Sequence, residues 1–329
     1  MAIAGTRVLV TGAGGFIGSH LVEGLLAAGA DVTALLRYNA EGSIGNLSLL
    51  PPEVLARVQI VHGDLNDADF VRRLAAKSEI IFHLGALIAI PYSYDAPRSY
   101  IQTNVEGTLN ILEAVRAANL RLVHTSTSEV YGSARYVPMD EAHPLQAQSP
   151  YAATKIAADK LVESYVRSFG LKAVTVRPFN TFGPRQSARA FIPTVIGQVL
   201  GGGDKVLLGA LSPVRDLTFV TDTVRGFIAA ATCDGALGGC YNLGTGTGAT
   251  VGEVAETIIR LMGADMRVEL DPLRLRPAAS EVDRLISSNQ AFRAVSGWAP
   301  EVDLEHGLRR TVEFFQRHPD LLPTGGYVK

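Results

Sequence analysis

Tyr151 and Lys155 stand four residues apart in YAATK, so a helix there puts a phenol and an ammonium on one face. A free tyrosine titrates near about 10, and a fixed cation beside it favours the anion. Such a phenolate can take a hydroxyl proton while hydride leaves the same carbon. Upstream, TSTSEVYG (Thr125 to Gly132) brings Thr127, whose hydroxyl can hydrogen-bond that oxygen, and Glu129, a carboxylate that simple oxidation does not need. An extra base implies that oxidation is only a first step. The competing reading of Glu129 is a carboxylate tied to local backbone N–H groups.

These residues need a scaffold, and the chain supplies one. Short β-branched runs (RVLV, DVTALL, RVQIVHGD, EIIFHLGA, RLVHTST, KAVTVRP) alternate with longer helical patterns. Apolar strands separated by helices predict an α/β fold, a Rossmann-type doubly wound parallel sheet covered on both faces. After Pro178 glycine and proline become frequent, which predicts a smaller, interleaved C-terminal substrate-binding lobe. The expected division is a dinucleotide-binding part over 1–177 with 216–243 returning to it, a lobe over 178–215 and 244–318, and a loose tail over 319–329. Helices are expected from about Arg98 to Ala118 and from about Pro150 to Phe169.

TGAGGFIG follows the first strand and opens a helix, spacing Gly12, Gly15 and Gly18 as G-x-x-G-x-x-G. Glycine lets the backbone approach a pyrophosphate, and the helix N-terminus supplies N–H donors. With strand before and helix after, the motif reads as a nicotinamide dinucleotide site. An acidic residue ending the second strand would bind a ribose 2′-hydroxyl. This strand instead ends Leu35-Leu36-Arg37-Tyr38-Asn39, so NADP is expected, with a solvated Arg37 beside NAD as the alternative. Asp64, after the third strand, can meet the adenine edge; capping of the next helix by Asp64 or Asn66 is the competing role.

Composition excludes several classes. The 329 residues carry net charge −2 without a long basic run, which argues against a nucleic-acid or membrane surface. No apolar run reaches the ~20 residues of a membrane helix, and no signal-like segment opens the chain, so the expected location is cytoplasmic. Cys233 and Cys240 make no disulfide framework and read as packing residues. The histidines show no metal-ligand spacing with them, so no metal is expected. His83 reads as a buried contact or part of the cofactor turn, and Trp298 as packing of the small lobe.

Taken in order, TGAGGFIG, FHLGA, TNVEGTLNILEA, TSTSEVYG, YAATK, RPFNTFGPRQ and RDLTFVTDTVRG resemble the extended short-chain dehydrogenase/reductase superfamily, within it the NAD(P)-dependent nucleotide-sugar epimerases and dehydratases. The resemblance runs from about Arg7 to about Phe315. Thr127-Ser128-Glu129 resembles the segment of sugar-nucleotide 4,6-dehydratases, many with Thr-Asp-Glu and the GDP-mannose members with Thr-Ser-Glu; UDP-glucuronate decarboxylases also carry TSEVYG. ALIAIPYSYDAPRSYIQTNVEGT and GPRQSARAFIPT are most similar to UDP-N-acetylglucosamine 4,6-dehydratases of legionaminate-type pathways.

The resemblance implies C4 oxidation by Tyr151, C5 deprotonation by Glu129, loss of water from C6 and return of hydride to C6. Lys155 would depress the tyrosine pKa and hold the nicotinamide ribose. Ser128, a poor acid, departs from the Asp-containing members, so Glu129 would also deliver the proton to O6. Gly12, Gly15, Phe16, Ile17, Gly18, Arg37, Asp64, Leu65, Leu84, Ala86 and Asn104 fall at cofactor positions beside Tyr151 and Lys155. Asn180, Arg215 and Arg276 fall where the substrate diphosphate is held, with Arg185 a weaker candidate whose alternative role is to brace the cleft from behind; arginine's planar fork suits phosphate oxygens. The implied partner is a nucleotide sugar, most closely UDP-N-acetylglucosamine, and the implied assembly a homodimer through the helices near 98–118 and 150–169. A C4 epimerase or UDP-glucuronate decarboxylase is the alternative on the same scaffold.

Overall fold

Alternation along the strands decides which residues face which layer. In β1 (Arg7–Thr11), Val8 and Val10 point to one side of the sheet and Leu9 to the other. The same split separates Leu36 from Leu35 in β2 (Asp31–Arg37) and Phe82 from Ile81 in β4 (Ile80–His83), with β3 (Gln59–Gly63) between them in sequence. β5 (Arg121–Thr125), β6 (Lys172–Pro178) and β7 (Cys240–Leu243) complete a seven-stranded sheet in the order β7-β6-β5-β4-β1-β2-β3. Every pairing is parallel. The computed structural model describes residues 2–275 and 282–322.

Helices cover both faces, as the strand pattern requires. Leu21, Val22 and Leu25 of α1 (Phe16–Ala27) join Val224 and Phe227 of the helix Val220–Thr232 on one face. On the other, Val71 and Leu74 of the helix Ala68–Ala75 meet Ile111, Leu112 and Val115 of Gly107–Ala118. Strand order reverses between β1 and β4, where open α/β sheets bind ligands beyond the carboxyl ends of the strands.

The helix Pro150–Phe169 begins and ends where local chemistry dictates. Ser149 Oγ accepts the Ala152 N–H at 3.1 Å, Pro150 occupies the first turn, and Gly170 ends the helix at φ 64°. The helix expected from Arg98 is continuous from Pro97 to Ala118, but Ile101–Glu106 is a π-turn within it. Such turns hold one extra residue and concentrate at functional sites.

Beyond β6 lies a second core built on Ile192, Ile196, Val254, Ile258, Leu308 and Phe315. Its helices are Phe191–Gly201, Val251–Leu261 and Leu304–Arg317. Three expectations are corrected here. The strand Leu217–Phe219 does not enter the main sheet; it pairs with Asn180–Phe182, which lies just past the end of β6. Trp298 packs in the core of the main sheet, not of the lobe, because its indole N–H donates to the Asp222 carbonyl (3.0 Å) beneath the helix 220–232. Residues 319–322 are not loose: Pro319–Leu321 form a 3-10 turn, and Leu322 is buried in the lobe core.

Candidate active site

The glycine loop is shaped by contacts that only glycine allows. A Cβ on Gly12, at φ 70°, would lie 2.8 Å from the Gly85 nitrogen, so the turn after β4 presses directly on the first loop. A Cβ on Gly18 would run into the Gly12 carbonyl oxygen and lie 2.9 Å from Ala13 Cα. Gly15 is the N-cap of α1 and offers no side-chain cap, and the first turn of Phe16, Ile17 and Gly18 holds no acidic residue. This cradle fits a pyrophosphate: its N–H donors carry no competing carboxylate.

The walls of the cradle follow. Thr11 Oγ accepts the Gly85 N–H (2.9 Å) and lies 2.9 Å from His83 Nδ1, while His83 Nε2 lies 3.1 Å from Thr108 Oγ. Thr108 in turn donates to the Asn104 carbonyl (2.6 Å), so its oxygen accepts from the ring and His83 carries its proton on Nε2. Burial holds His83 neutral, as a satisfied structural contact. Leu65 packs against Gly85 and Gly107, and its carbonyl accepts from Asn110. Leu84 and Ala86 are partly buried beside it. Arg37 ends β2 and is exposed. Asp64 is exposed and accepts the Asn66 N–H; the following helix is capped by Asp67, so neither capping role expected for Asp64 or Asn66 holds.

Asn104 sits on the π-turn, and its side chain grips one residue at both ends. Oδ1 accepts the Leu87 N–H (2.8 Å) and Nδ2 donates to the Leu87 carbonyl (2.9 Å) and to Thr154 Oγ (3.1 Å). Tyr100 donates to the Ala89 carbonyl (2.5 Å) and stands edge-on to Tyr151 with ring centroids 6.3 Å apart. One helix thereby holds Leu87 and Ala89 in place and sets the Tyr100 ring against the phenol. The π-turn has no signal in local sequence, whereas TNVEGT resembles a motif whose asparagine orders the active site through backbone contacts, the part Asn104 takes here.

Tyr151 itself is 7% exposed. Burial pushes its phenol well above the ordinary range, a hydrogen bond from Thr127 pulls it down, and the nearby charge of Glu129 pushes it up. Thr127 Oγ also accepts the Glu129 N–H at 3.2 Å and so caps the turn Ser128–Tyr131. Glu129 is half-buried, whereas Ser128 is buried. The Lys155 ammonium donates to the Thr125 carbonyl (2.7 Å), and the phenol responds to burial, Thr127 and Glu129. Burial lowers Lys155 to about 8 against the opposing charge of Asp159.

The substrate arginines are distributed differently than their motifs imply. Arg185 adopts φ 65°, pairs with Glu23 of α1 at 2.9 Å and offers its carbonyl to Asn46 Nδ2. It braces the lobe against the first helix through Nη2, while Nε and Nη1 are buried without a hydrogen-bond partner among the described residues. Arg215 is buried beside a cavity of about 310 Å³ that Thr247, Glu301 and Asp303 also line. Asn180 Oδ1 is buried and has no hydrogen-bond partner among the described residues. Arg274 pairs with Asp271 at 3.0 Å. Arg276 lies outside the described residues.

The model of the GDP-mannose 4,6 dehydratase family matches residues 9–311. The chain belongs to that family. Like this family member, a UDP-glucose 4-epimerase of Mycolicibacterium smegmatis has the same span: it is 37% identical over 316 residues, 94% of this chain and 98% of its own length. Among solved structures, UDP-N-acetylglucosamine 4-epimerase from Methanobrevibacter ruminantium M1, in complex with UDP-N-acetylmuramic acid, aligns with a TM-score of 0.87 at 29% identity, over 96% of this chain and 99% of that one. The dTDP-glucose 4,6-dehydratase from Streptomyces venezuelae, with NAD and TYD bound, aligns at 0.85 and 31% identity, over 96% and 98%. This dehydratase-family chain is therefore an enzyme of a group that includes both nucleotide-sugar dehydratases and epimerases. No described helix is long and apolar enough to cross a membrane.

Proposed function

We propose that the chain is an NAD(P)-dependent nucleotide-sugar 4,6-dehydratase that converts a UDP-hexose, UDP-N-acetylglucosamine first, to its 4-keto-6-deoxy product. The observation that carries this reading is Glu129, close enough for its charge to act on the Tyr151 phenol. A C4 epimerase has no task for that carboxylate. The loop of Gly12, Gly15 and Gly18 would hold a nicotinamide dinucleotide, which would supply a reversible store for the hydride that leaves C4 and returns to C6. Tyr151 removes the O4 proton, and Thr127 donates to the resulting anion. The new ketone acidifies C5–H, which Glu129 removes. Ser128 is buried and a poor acid, so Glu129 hands that proton to O6 and water departs; C5 then takes up a proton from solvent, balanced by the O4 proton that Tyr151 releases.

The second reading, a C4 epimerase, is favoured by that same Ser128, since no aspartic acid stands ready to protonate the leaving hydroxyl. Mass spectrometry after incubation with UDP-N-acetylglucosamine separates them. Loss of one water is expected; an unchanged mass with inverted C4 supports epimerisation, and carbon dioxide from UDP-glucuronate supports decarboxylation. In the dehydratase, Glu129→Gln keeps the C4 oxidation and slows elimination by about 10²–10⁴-fold.

Arg37 at the end of β2, with no carboxylate there, supports NADP over NAD, which titrating both cofactors decides. Ile101, Leu109 and Phe169 are exposed on or at the ends of the two long helices, which supports a homodimer across them, measurable by light scattering.

A further inference from the structure

We propose that Asp159 is a positioning residue of this site: clamped by Arg177, it holds the Ser126 end of the segment leading to Thr127 and Glu129 and serves as the countercharge of Lys155. The inference rests on the function above only as far as the Tyr151–Lys155 pair and C4 oxidation, a step that dehydration and epimerisation share.

Lys155 and Asp159 lie one turn apart on the helix Pro150–Phe169 and grasp consecutive residues. Lys155 Nζ donates to the Thr125 carbonyl (2.7 Å), and Ser126 Oγ donates to Asp159 Oδ2 (2.8 Å). The same oxygen accepts from Arg177 Nε (3.1 Å) and Nη2 (2.9 Å). Asp159 Oδ1 lies 3.3 Å from His124 Nε2. Lys155, Asp159, Arg177 and His124 are each at most 5% exposed. The last residues of β5 are thus held from the helix by two side chains, and the next residues are Thr127, Ser128 and Glu129.

A structural ion pair would need only Arg177 and Asp159. Here one carboxylate is paired with Arg177 and also stands one helical turn from Lys155, whose ammonium its charge favours. His83 of β4 and His124 of β5 are kept neutral by burial. Cys240 of β7 is pushed up to about 12 by burial, and Tyr131 and Tyr151 are likewise raised. None of these carries negative charge near neutrality, and the two nearby carboxylates act elsewhere, Glu129 on the Tyr151 phenol and Glu141 on Arg177 and Cys240, so the ammonium depends on Asp159. A neighbouring opposite charge typically shifts a titration by about 1–3 units.

The test uses the full-length holoenzyme and two variants, Asp159→Asn and Asp159→Glu. The rate of nicotinamide reduction on adding UDP-N-acetylglucosamine is followed against pH, together with NADPH affinity by fluorescence. In the Asn variant the alkaline limb of both profiles should move to lower pH by about one unit or more, and the Glu variant should restore it. Profiles that keep the wild-type shape while only their amplitude changes would overturn the proposal and leave Asp159 a buried structural pair. If Asp159→Asn does not fold, the double variant Asp159→Asn/Arg177→Gln removes both charges and must show the same shift. If no sugar nucleotide reduces the wild-type cofactor, the function above fails, and the affinity profile still decides the role of Asp159.

Discussion

Replacing Thr127 by valine keeps its shape and removes one hydroxyl with two duties. The hydroxyl donates to the Tyr151 phenol and accepts the Glu129 N–H at 3.2 Å. Losing the donor removes a bond that is stronger to the anion than to the phenol, a difference of about 1–1.5 kcal/mol, since bonds to charged groups contribute about twice those to neutral ones. At 1.36 kcal/mol per unit this moves the acid limb upward by about one pH unit and slows the reaction about tenfold on that limb. The sign is fixed: the phenol must lose its proton, so activity rises with pH through its titration, and a lost donor pushes that rise higher. The orphaned Glu129 N–H costs about a further 1 kcal/mol, through stability or through the placement of the carboxylate. Together they give about a ten- to hundredfold fall in rate near neutrality. Nicotinamide reduction is the assay, read across the neutral and alkaline range, with Thr127→Ser as the control that should stay close to wild type. A valine variant with the wild-type rate and an unmoved acid limb would refute the hydrogen bond as a device for making phenolate.

Other expectations concern the scaffold. Burial lowers His20 to about 4, and its Nε2 lies 2.9 Å from the Pro184 carbonyl. The folded state therefore resists a proton that the unfolded chain takes up near 6.5, so stability is full above that pH and falls by about 2–3 kcal/mol as pH drops toward 4. His20→Gln should flatten this loss, as denaturant melts at neutral and acid pH will show. Gly18→Ala pushes a methyl into the Gly12 carbonyl, so NAD(P)H affinity should fall by about tenfold or more while far-ultraviolet dichroism stays unchanged.

What the sequence discloses here is local. Val8, Leu9 and Val10 declare a strand buried on both faces, and Ser149, Pro150 and Gly170 mark both ends of a twenty-residue helix within four residues of each end. Gly12 and Gly18 likewise announce their loop, because their constraint comes from neighbours in the chain and one adjacent turn. Features that depend on distant partners stay hidden. Trp298 joins the main core through a carbonyl 76 residues away, and Leu217–Phe219 finds Asn180–Phe182 rather than β6. The buried cluster of Asp159, Arg177, His124 and Ser126 draws on a helix, two strands and the end of one, so no window of sequence contains it. Arg185 reads in its motif as a phosphate contact or a brace of the cleft, and only the fold supplies Glu23 as the partner it braces against.

The π-turn at Ile101–Glu106 carries a consequence for how this chain can change over time. Its surplus residue rotates the two halves of the helix by about 100° relative to an uninterrupted one. That offset lets Tyr100 reach Ala89 and Asn104 reach Leu87 while Ile111 and Val115 still face the sheet. Deleting a single residue between Tyr100 and Gly107 would straighten the helix and carry the upper half out of phase with the lower. Side chains here can therefore be exchanged one for another, but the count of residues between these two anchors is frozen.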